Sequence, residues 1–140
     1  MPAKRPQPRF PEPDTEPFWE ATKNHELTYQ ICDDCHEVVF YSRQHCTGCG
    51  SNNLTRKVSQ GQGAVYTFSV VMQSRHPAFA ELGPYAIAYV DLDEGFRMMT
   101  NIVKVKDPVA DIQCGMRVKL CWEDQGEGEI SLPMFEPASS

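Results

Sequence analysis

Hydrophobic and polar residues alternate along the second half of the chain with the two-residue period of β-strands. The alternation is clearest in four segments rich in Val, Ile, Tyr, Phe and Met: AVYTFSVVMQ, YAIAYVDLD, FRMMTNIVKV and RVKLCWED. Turn-rich pieces separate them, and DPVADIQCGM is predicted to form a short helix or a turn. The pattern predicts about five antiparallel strands between residues 61 and 135. We expect a closed or partly open barrel of the OB type, with a β-sandwich as the alternative.

The first long segment carries apolar side chains on both of its predicted faces. Val65 and Val71 share one face, whereas Tyr66 and Phe68 share the other. Two apolar faces are expected where a strand is shared between a barrel interior and an element that covers the barrel.

The N-terminal part of the chain changes from an extended segment to a short helix and then to strands. Residues 1–13 hold five of the eleven prolines. Such a segment packs poorly, so we expect a mobile tail. Asp14 or Thr15 can cap a helix over about residues 16–24. The runs LTYQI, EVVFY and LTRKV then carry strand signals around two pairs of cysteines.

Composition and charge are typical of a globular protein, and the N-terminal sequence favours a reducing compartment. The chain has 140 residues, of which 41% are hydrophobic and 23% are charged, and its net charge is −6. A phosphate backbone would repel this net charge unless basic residues were clustered, and the sequence contains no such cluster. The start, MPAKRPQPRF, lacks the apolar core of a signal peptide, and no run reaches membrane-spanning length. We therefore expect a cytoplasmic protein without a membrane partner.

The strongest motif consists of four cysteines in two identical pairs. Cys32, Cys35, Cys46 and Cys49 have the spacing C-x2-C-x10-C-x2-C. Each C-x2-C turn directs two sulfurs to one point, and two such turns complete a tetrahedron of thiolates, which suits Zn²⁺. Such a site is coordinatively full, so we expect one structural zinc ion per chain and no catalysis at it. A rubredoxin-like iron site and a redox dithiol are the alternatives.

Few other residues suggest catalysis. Cys114 and Cys121 are expected to be unreactive thiols, since no histidine is near either in sequence. His36 and His45 each neighbour a ligand cysteine and are not expected to replace it. Other candidates are more simply explained as surface groups: His25, His76, Asp91, Asp93 and Glu94. No glycine-rich segment precedes a Lys-Ser/Thr pair, so nucleotide hydrolysis has no support. We expect no catalytic residue in this chain.

Several segments together resemble a known family. They are FW at 18–19, the CxxC…CxxCG ribbon, GQGAVYTFSVV at 61–71, PYAIAYVDLDEGFRMMTNIV at 84–103, CGMRVKL at 114–120 and LPMF at 132–135. This ordered series is similar to the acyl-CoA-associated zinc-ribbon/OB-fold family, formerly domain of unknown function family 35. The resemblance implies a mainly β fold with a short N-terminal helix, a rubredoxin-like zinc ribbon and a five-stranded OB-fold barrel.

The combined patterns divide the chain into three parts. Residues 1–13 are the mobile proline-rich tail, residues 14–58 the helix and the zinc ribbon, and residues 59–136 the OB-fold domain. A chain of this length has room for one ordinary domain with a small appendage, which agrees with the division.

The resemblance also implies a role. Members of the family are accessory subunits of thiolase-like aldolases, thiolases and enoyl-CoA hydratases, including enzymes that shorten steroid side chains, and the catalytic residues belong to the partner. We therefore expect a non-catalytic subunit of a thiolase-fold enzyme that acts on acyl-CoA, assembled as two copies of each subunit, with an enoyl-CoA hydratase as a second candidate partner. The chain departs from the family pattern at His36, where a glycine is common, and we expect no fused hydratase domain.

An OB-fold module that binds single-stranded nucleic acid is the alternative function. Its binding face would need aromatic residues interleaved with Lys and Arg. Residues 84–93 instead contain Asp91 and Asp93 and no basic residue. We therefore expect no nucleic-acid partner.

The resemblance makes a CoA thioester a candidate ligand. The phosphates of CoA favour basic side chains, and its pantetheine arm favours a narrow apolar channel. The loop SRHPAFAELGP supplies Arg75, His76 and Phe79, and Arg43 lies between the two cysteine pairs. We expect these four residues to contact CoA. Apolar residues near the ends of elements form a candidate interface with a catalytic subunit: Phe18, Trp19, Phe79, Tyr85 and Phe135.

Overall fold

A computed structural model describes residues 5–9 and 12–138 of the chain. The elements are α1 (Glu16–Thr22), β1 (Thr28–Cys32), β2 (Val38–Val39), β3 (Leu54–Val58), β4 (Gln62–Val71), β5 (Tyr85–Leu92), β6 (Arg97–Ile102), α2 (Pro108–Asp111), β7 (Arg117–Asp124) and β8 (Ser131–Pro137). A single 3-10 turn, Ala80–Leu82, precedes β5. None of the helices within the described residues is long and apolar enough to cross a membrane.

The first sheet has three antiparallel strands in the order β2-β1-β3. Strand β1 pairs with β3 along its whole length, from Thr28 opposite Val58 to Cys32 opposite Leu54. Its pairing with β2 is limited to two residue pairs. The sheet therefore brings the end of β1, with its cysteine, beside the loop that carries the second cysteine pair.

The second sheet is a closed five-stranded barrel in the order β4-β5-β6-β8-β7. The predicted OB-type barrel is confirmed, and the β-sandwich alternative is excluded. The predicted all-antiparallel arrangement was wrong at one junction, because β6 and β8 run parallel and pair through Ile102 and Phe135. Strand β8 must lie between β6 and β7 to close the barrel, and this position fixes its direction relative to β6.

A β-bulge in β4 explains why both predicted faces of that strand looked apolar. Val65 pairs with Val90 of β5, and Thr67 pairs with the adjacent Tyr89, so Tyr66 is the extra residue of the bulge. The bulge exchanges the two faces. Phe68 therefore points to the same side as Val65 and lies opposite the buried Ala88. The predicted covering element is not needed to explain the pattern.

Helix α1 is shorter than predicted and packs against both sheets. It ends at Thr22, which is fully buried. The Thr22 hydroxyl donates a hydrogen bond to the Trp19 carbonyl at 2.6 Å and accepts one from the Ser131 backbone N–H at 3.2 Å. Thr15 occupies the N-cap position, as one of the two predicted candidates, but its side chain caps no helical N–H. Packing against β8 rather than capping therefore holds the helix.

Stacked aromatic rings join the ribbon to the barrel. Phe40, which follows β2, lies 4.6 Å from the Phe96 ring and 5.9 Å from the Phe18 ring, measured between centroids. Phe96 in turn stacks on Tyr29 of β1 at 5.1 Å. Such contacts add to the free energy of simple apolar burial. The ribbon and the barrel thus share one hydrophobic core.

Two of the five apolar residues predicted to form an interface are in this core instead. Phe18 is 8% exposed and Phe135 is fully buried. Phe18 faces inward because α1 packs against β1 and β8, and Phe135 does so because β8 lies between β6 and β7. Position near the end of an element in the sequence does not reveal these contacts. Trp19, Phe79 and Tyr85 remain partly accessible.

Residues 5–9 lie against the barrel. The Arg5 guanidinium donates a hydrogen bond to the Glu123 carboxylate at 2.6 Å and lies 5.0 Å from the centroid of the Phe79 ring. The Gln7 side chain donates to the Gln125 side chain at 3.1 Å. The rest of the predicted tail includes residues 1–4, 10 and 11, which lie outside the described residues, and its mobility stays a prediction.

Candidate metal centre and ligand groove

The four predicted cysteine ligands converge on one point. Their sulfur atoms all lie within 4.8 Å of one another. Cys32 Sγ is 3.6 Å from Cys49 Sγ, and Cys35 Sγ is 3.5 Å from Cys46 Sγ. With a Zn–S bond of about 2.3 Å, an ideal tetrahedron has sulfurs about 3.8 Å apart. The cluster therefore has the size of a four-thiolate zinc site.

Both cysteine pairs lie in tight turns with a left-handed residue. His36 has φ 64° and Gly50 has φ 79°. The His36 N–H donates to the Cys32 carbonyl at 2.9 Å, and the Gly50 N–H donates to the Cys46 carbonyl at 3.0 Å. Glycine adopts this conformation without strain, whereas histidine is less favoured there. The departure from glycine at position 36 thus keeps the turn geometry, and neither His36 nor His45 belongs to the sulfur cluster.

Backbone N–H groups and crowding act in opposite directions on the thiols. Hydrogen bonds from the Cys49 and Gly48 backbone lower the pKa of Cys46 to about 7. The pKa of Cys35 is raised to about 12, because a lowering hydrogen bond from the Glu37 backbone is outweighed by the neighbouring Cys46 side chain and by burial. Four sulfurs so close together cannot all be thiolates without a cation. The donor set therefore fits Zn²⁺ and leaves no position for a substrate.

Carboxylates outside the sulfur cluster hold the two turns together. Asp34 accepts hydrogen bonds from the Ser51 hydroxyl and, at 3.1 Å, from the Asn53 side chain. These hydrogen bonds, the Ser51 one first, lower the pKa of Asp34. Asp33 accepts a hydrogen bond from the Thr55 hydroxyl at 2.7 Å. These hydrogen bonds connect the first cysteine turn to residues 51–55, which follow the second cysteine turn.

The remaining thiols differ in exposure. Cys114 is exposed, and Cys121 is partly buried on β7. Burial raises the pKa of Cys121 above that of an ordinary thiol. A raised pKa lowers the fraction of thiolate and hence the reactivity of this side chain.

The carboxylates around the β5–β6 turn are paired rather than free. Asp91 accepts from Arg97 at 2.6 Å, and Asp93 accepts from Arg117 of β7 at 2.6 Å. Glu94 accepts a hydrogen bond from the Ser59 hydroxyl at 2.8 Å. Hydrogen bonding to Arg117 lowers the pKa of Asp93. These contacts, which sequence spacing alone did not reveal, connect the turn to β7 and to the end of the ribbon.

His25 is also engaged in a polar contact. Its Nε2 lies 2.6 Å from Asp124 Oδ1, and its ring stacks on Trp122 at 5.3 Å between centroids. Asp124 also accepts a hydrogen bond from the Ser131 hydroxyl at 2.7 Å. The carboxylate is the central member of this set, whereas a nucleophilic triad needs the histidine there. The set therefore connects the segment after α1 to β7 and β8.

The structure brings two of the four residues predicted to contact CoA into contact with each other. The His76 and Phe79 rings are 5.3 Å apart in the loop between β4 and β5, and Arg75 precedes them. Arg75 is exposed and has no ion-pair partner within residues 5–9 and 12–138. Arg43 lies elsewhere, where it lines a depression together with Glu12, Asp14 and neighbouring residues.

A groove that the sequence did not indicate lies beside β6. It consists of two adjoining cavities of about 380 and 250 Å³. Both cavities are lined by Arg5, Phe79, Met99, Thr100 and Asn101. We call this feature the β6 groove. An available signal was the apolar Met99 at an outward position of β6, where a polar residue is usual.

The larger cavity of the β6 groove continues between the helix, the ribbon and the barrel. Trp19 of α1, Tyr41 of the ribbon and Leu132 of β8 are among its lining residues. The Tyr41 hydroxyl accepts a hydrogen bond from the Met99 backbone N–H at 2.9 Å. The smaller cavity continues to Ile87 on the outer face of β5. The groove therefore forms only when distant parts of the sequence are assembled.

Comparison with known proteins identifies the family of the chain. A family model described as the rubredoxin-like zinc ribbon domain of ChsH2 matches residues 19–55, and one described as the C-terminal OB-fold domain of ChsH2 matches residues 56–123. A "DUF35 domain-containing scaffold protein" of Methanocaldococcus jannaschii is 34% identical over 105 residues, which are 71% of this chain and 72% of that protein. The chain belongs to the DUF35 family.

A second DUF35 scaffold protein, from Methanothermobacter thermautotrophicus, is 30% identical over 78% of this chain and 84% of its own length. A longer relative in Thermomonospora curvata, named "Probable enoyl-CoA hydratase alpha subunit", is 37% identical over 122 residues. That match covers 86% of this chain but only 37% of the relative. The DUF35 chain thus spans little more than a third of the hydratase subunit.

Solved structures agree with the DUF35 assignment. A chain of the structure titled "Ltp2-ChsH2(DUF35) aldolase" superposes with a TM-score of 0.83 and 34% identity, and the match covers 95% of this chain and 100% of that one. A DUF35 protein of Sulfolobus solfataricus gives a TM-score of 0.63 at 11% identity, over 88% of this chain and 84% of that one, and supports the fold alone. The predicted family and the predicted ribbon-and-barrel fold are confirmed.

Proposed function

We propose that this chain is a non-catalytic accessory subunit of a thiolase-like aldolase that acts on acyl-CoA. The observation that carries the proposal is the likeness to the DUF35 chain of the Ltp2-ChsH2 aldolase, at 34% identity over that whole chain. The scaffold names of the archaeal relatives agree with a supporting role. The zinc ribbon is structural in this proposal, because a site closed by four thiolates offers no position for a reacting group.

The state of the ionisable groups supports placing catalysis on the partner. Asp91 and Asp93 are neutralised by arginines. His25 and the Ser131 hydroxyl both contact the Asp124 carboxylate, which lies between them. His25 is therefore not placed to deprotonate the serine. Within residues 5–9 and 12–138, these groups stabilise the fold rather than form a reactive set.

The exposed apolar residues support a protein partner. Tyr66, Tyr89 and Met99 are between 42% and 53% exposed on neighbouring strands of the barrel. Tyr89 and Met99 are directly paired, and the Arg97 guanidinium lies 3.5 Å from the centroid of the Tyr66 ring. Aromatic residues, Met and Arg are enriched at the centres of protein interfaces. We propose that the outer face of β5 and β6 contacts the catalytic subunit.

The finer parts of the proposal rest on family likeness. We propose an acyl group of the steroid side-chain class, an assembly of two copies of each subunit, and an enoyl-CoA hydratase as a second candidate partner, with the complex in the cytoplasm. CoA would contact the chain through the basic end of the β4–β5 loop, at Arg75 and His76, with Phe79 beside its pantetheine arm. Arg43 is a fourth candidate contact.

The charge pairing on the OB face weighs against the nucleic-acid alternative, although exposed tyrosines lie beside an arginine there. The OB face between β5 and β6 carries Arg97, which is paired with Asp91. A cation that is already neutralised releases few counterions from a phosphate backbone. We therefore propose no nucleic-acid partner.

Co-expression with a thiolase-like aldolase tests the accessory role. We expect the two chains to co-elute in size-exclusion chromatography at the mass of two copies of each, and the aldolase activity to require this chain. Tyr89→Glu should weaken co-elution, because it introduces a charge at the proposed interface, whereas Val109→Glu, on the exposed short helix α2, should not. An aldolase that is equally soluble and active without this chain would contradict the proposal.

Substitution of Arg75 tests the CoA contact in the same complex. We expect Arg75→Ala to raise KM for the acyl-CoA substrate at unchanged kcat, because it removes binding shared by the ground and transition states. Arg43→Ala should raise KM less, since Glu12 and Asp14 lower the positive potential around it. Lys106→Ala serves as the charge-matched control. An unchanged KM for Arg75→Ala with normal assembly would assign the whole CoA site to the partner.

A further inference from the structure

We propose that the β6 groove binds the apolar acyl group of the thioester, so that this chain, rather than the catalytic subunit alone, selects acyl length. The inference rests on the proposed function, because it assumes an acyl-CoA ligand. It goes further by assigning the acyl part of that ligand to a defined cavity of this chain.

The size of the β6 groove suits an extended apolar ligand. Its two cavities adjoin at Met99 and Phe79 and have volumes of about 380 and 250 Å³. Sites for small ligands typically have volumes of about 300–1,000 Å³. Methionine side chains adapt to irregular apolar shapes, and both Met98 and Met99 line the larger cavity. The groove can therefore accommodate acyl groups of more than one shape.

The polar side chains of the β6 groove already have partners within the protein. The Thr100 hydroxyl donates to the Pro133 carbonyl at 3.0 Å, and the Asn101 amide donates to the Ala86 carbonyl at 2.9 Å. The hydroxyl of Tyr41 accepts from the Met99 N–H. These hydrogen bonds engage the Thr100 hydroxyl and the Asn101 amide within the protein, and an apolar ligand leaves them intact.

The charges around the β6 groove match a ligand with one apolar end and one anionic end. Arg5 is the charged residue shared by both cavities, and Glu123 neutralises it at 2.6 Å. At Phe79 the groove meets the loop that carries His76 and the exposed Arg75, which has no ion-pair partner in the part of the chain that the structure describes. An acyl chain in the groove would thus leave the phosphates of CoA near the loop that carries the Arg75 guanidinium.

Fluorescence of Trp19 measures binding to the groove directly. The chain has two tryptophans, so Trp122→Phe leaves Trp19 as the only one. This full-length chain, loaded with zinc, is titrated with dodecanoyl-CoA, acetyl-CoA and CoA. We expect a saturable change in emission with dodecanoyl-CoA and a Kd at least about tenfold lower than that for acetyl-CoA, because a long chain buries apolar area that an acetyl group lacks.

Substitutions of exposed methionines separate the groove from general surface effects. We expect Met99→Glu to bring the Kd for dodecanoyl-CoA close to that for acetyl-CoA, whereas Met99→Leu should preserve the difference. Met72→Glu is the matched control, because Met72 is 61% exposed and lines neither cavity. Zinc content and circular dichroism verify the fold of each variant.

Equal affinity for dodecanoyl-CoA and acetyl-CoA, absence of binding by both, or a Met99→Glu variant that keeps the preference would each overturn the inference. If one of these results occurs while the chain still co-elutes with the aldolase and activates it, the acyl site is wrong and the accessory role stands. Loss of co-elution with a retained preference for long acyl chains would contradict the accessory role and support the groove.

Discussion

The zinc ribbon and the barrel are both small β-structures, but different interactions hold them together. The barrel and its connecting segments supply eleven of the fourteen residues in the main cluster of buried apolar side chains, and Phe18, Leu27 and Tyr29 supply the rest. The ribbon's own cluster contains only Cys32, Val39 and Cys46, with Leu54 packed against it. So few apolar side chains cannot offset the entropy of ordering the two cysteine turns. The comparison indicates that metal ligation takes the place of apolar packing around the cysteines, whereas the side of the ribbon that carries Tyr29 and Phe40 packs into the core of the barrel.

Removing one metal ligand should give the largest effect. We expect Cys46→Ser to lose zinc and unfold the ribbon, because structural zinc supplies on the order of 10 kcal/mol of apparent folding free energy in zinc-finger peptides. Metal analysis should give about one zinc per chain for the original protein and much less for the variant. Cys114→Ser, outside the cluster, should keep its zinc. Visible absorption typical of iron–sulfur bonds would contradict the zinc assignment.

A cavity in the barrel should give the next largest effect and leave the metal in place. Phe135 is fully buried where β6 meets β8. We expect Phe135→Ala to lower the free energy of unfolding by about 3–5 kcal/mol. Urea unfolding followed by circular dichroism measures the loss, and metal analysis checks that zinc is retained under native conditions. A loss of stability below about 1 kcal/mol would show that the barrel core does not depend on this junction.

Substitution at the boundary between the two parts should have an intermediate effect. Phe40 contacts rings from α1 and from the turn before β6. Because the side chain is only partly buried, we expect Phe40→Ala to cost about 1–3 kcal/mol. The ribbon and the barrel should then unfold in two separate transitions, which NMR of resolved amides can follow during heating. A single shared transition would mean that other contacts couple the two parts.

The smallest effect should come from the carboxylate beside His25. The hydrogen bond from Ser131 and then the contact with His25 lower the pKa of Asp124. A group with a lowered pKa in the folded state stabilises the fold above its unfolded pKa, which is about 3.9 for Asp. This stabilisation is lost as the pH falls through the lower folded value. Asp124→Asn should therefore reduce the stability difference between pH 6 and pH 3, as measured by urea unfolding. A pH profile identical to that of the original chain would contradict the expectation.

The four-cysteine site was predictable because its information is local. Each C-x2-C turn determines its own geometry within a few residues, and a left-handed position is needed next to Cys35 and Cys49 whatever the rest of the chain does. The alternating strands of the barrel were predictable for the same reason. In both cases a short window of sequence contains the whole physical cause.

The features that were missed depend on contacts between distant residues. The bulge at Tyr66 depends on the register between β4 and β5, and the parallel junction at Ile102 depends on where β8 enters the barrel. The β6 groove needs Trp19, Tyr41 and Leu132 to meet, although they lie far apart in sequence. No local sequence pattern predicts contacts between residues so far apart in the chain.

The hydrogen bond between Tyr41 and Met99 makes one amide proton of the barrel depend on a side chain of the ribbon. Strand-paired amides of β6 exchange with solvent deuterium only when the sheet opens, whereas the Met99 amide exchanges whenever the ribbon moves away. Chelation of the metal should therefore accelerate exchange at Met99 while the amide of Thr100, opposite Ala88, keeps its protection. Exchange of the Met99 amide proton therefore reports, without any bound ligand, whether the ribbon side of the β6 groove is in place.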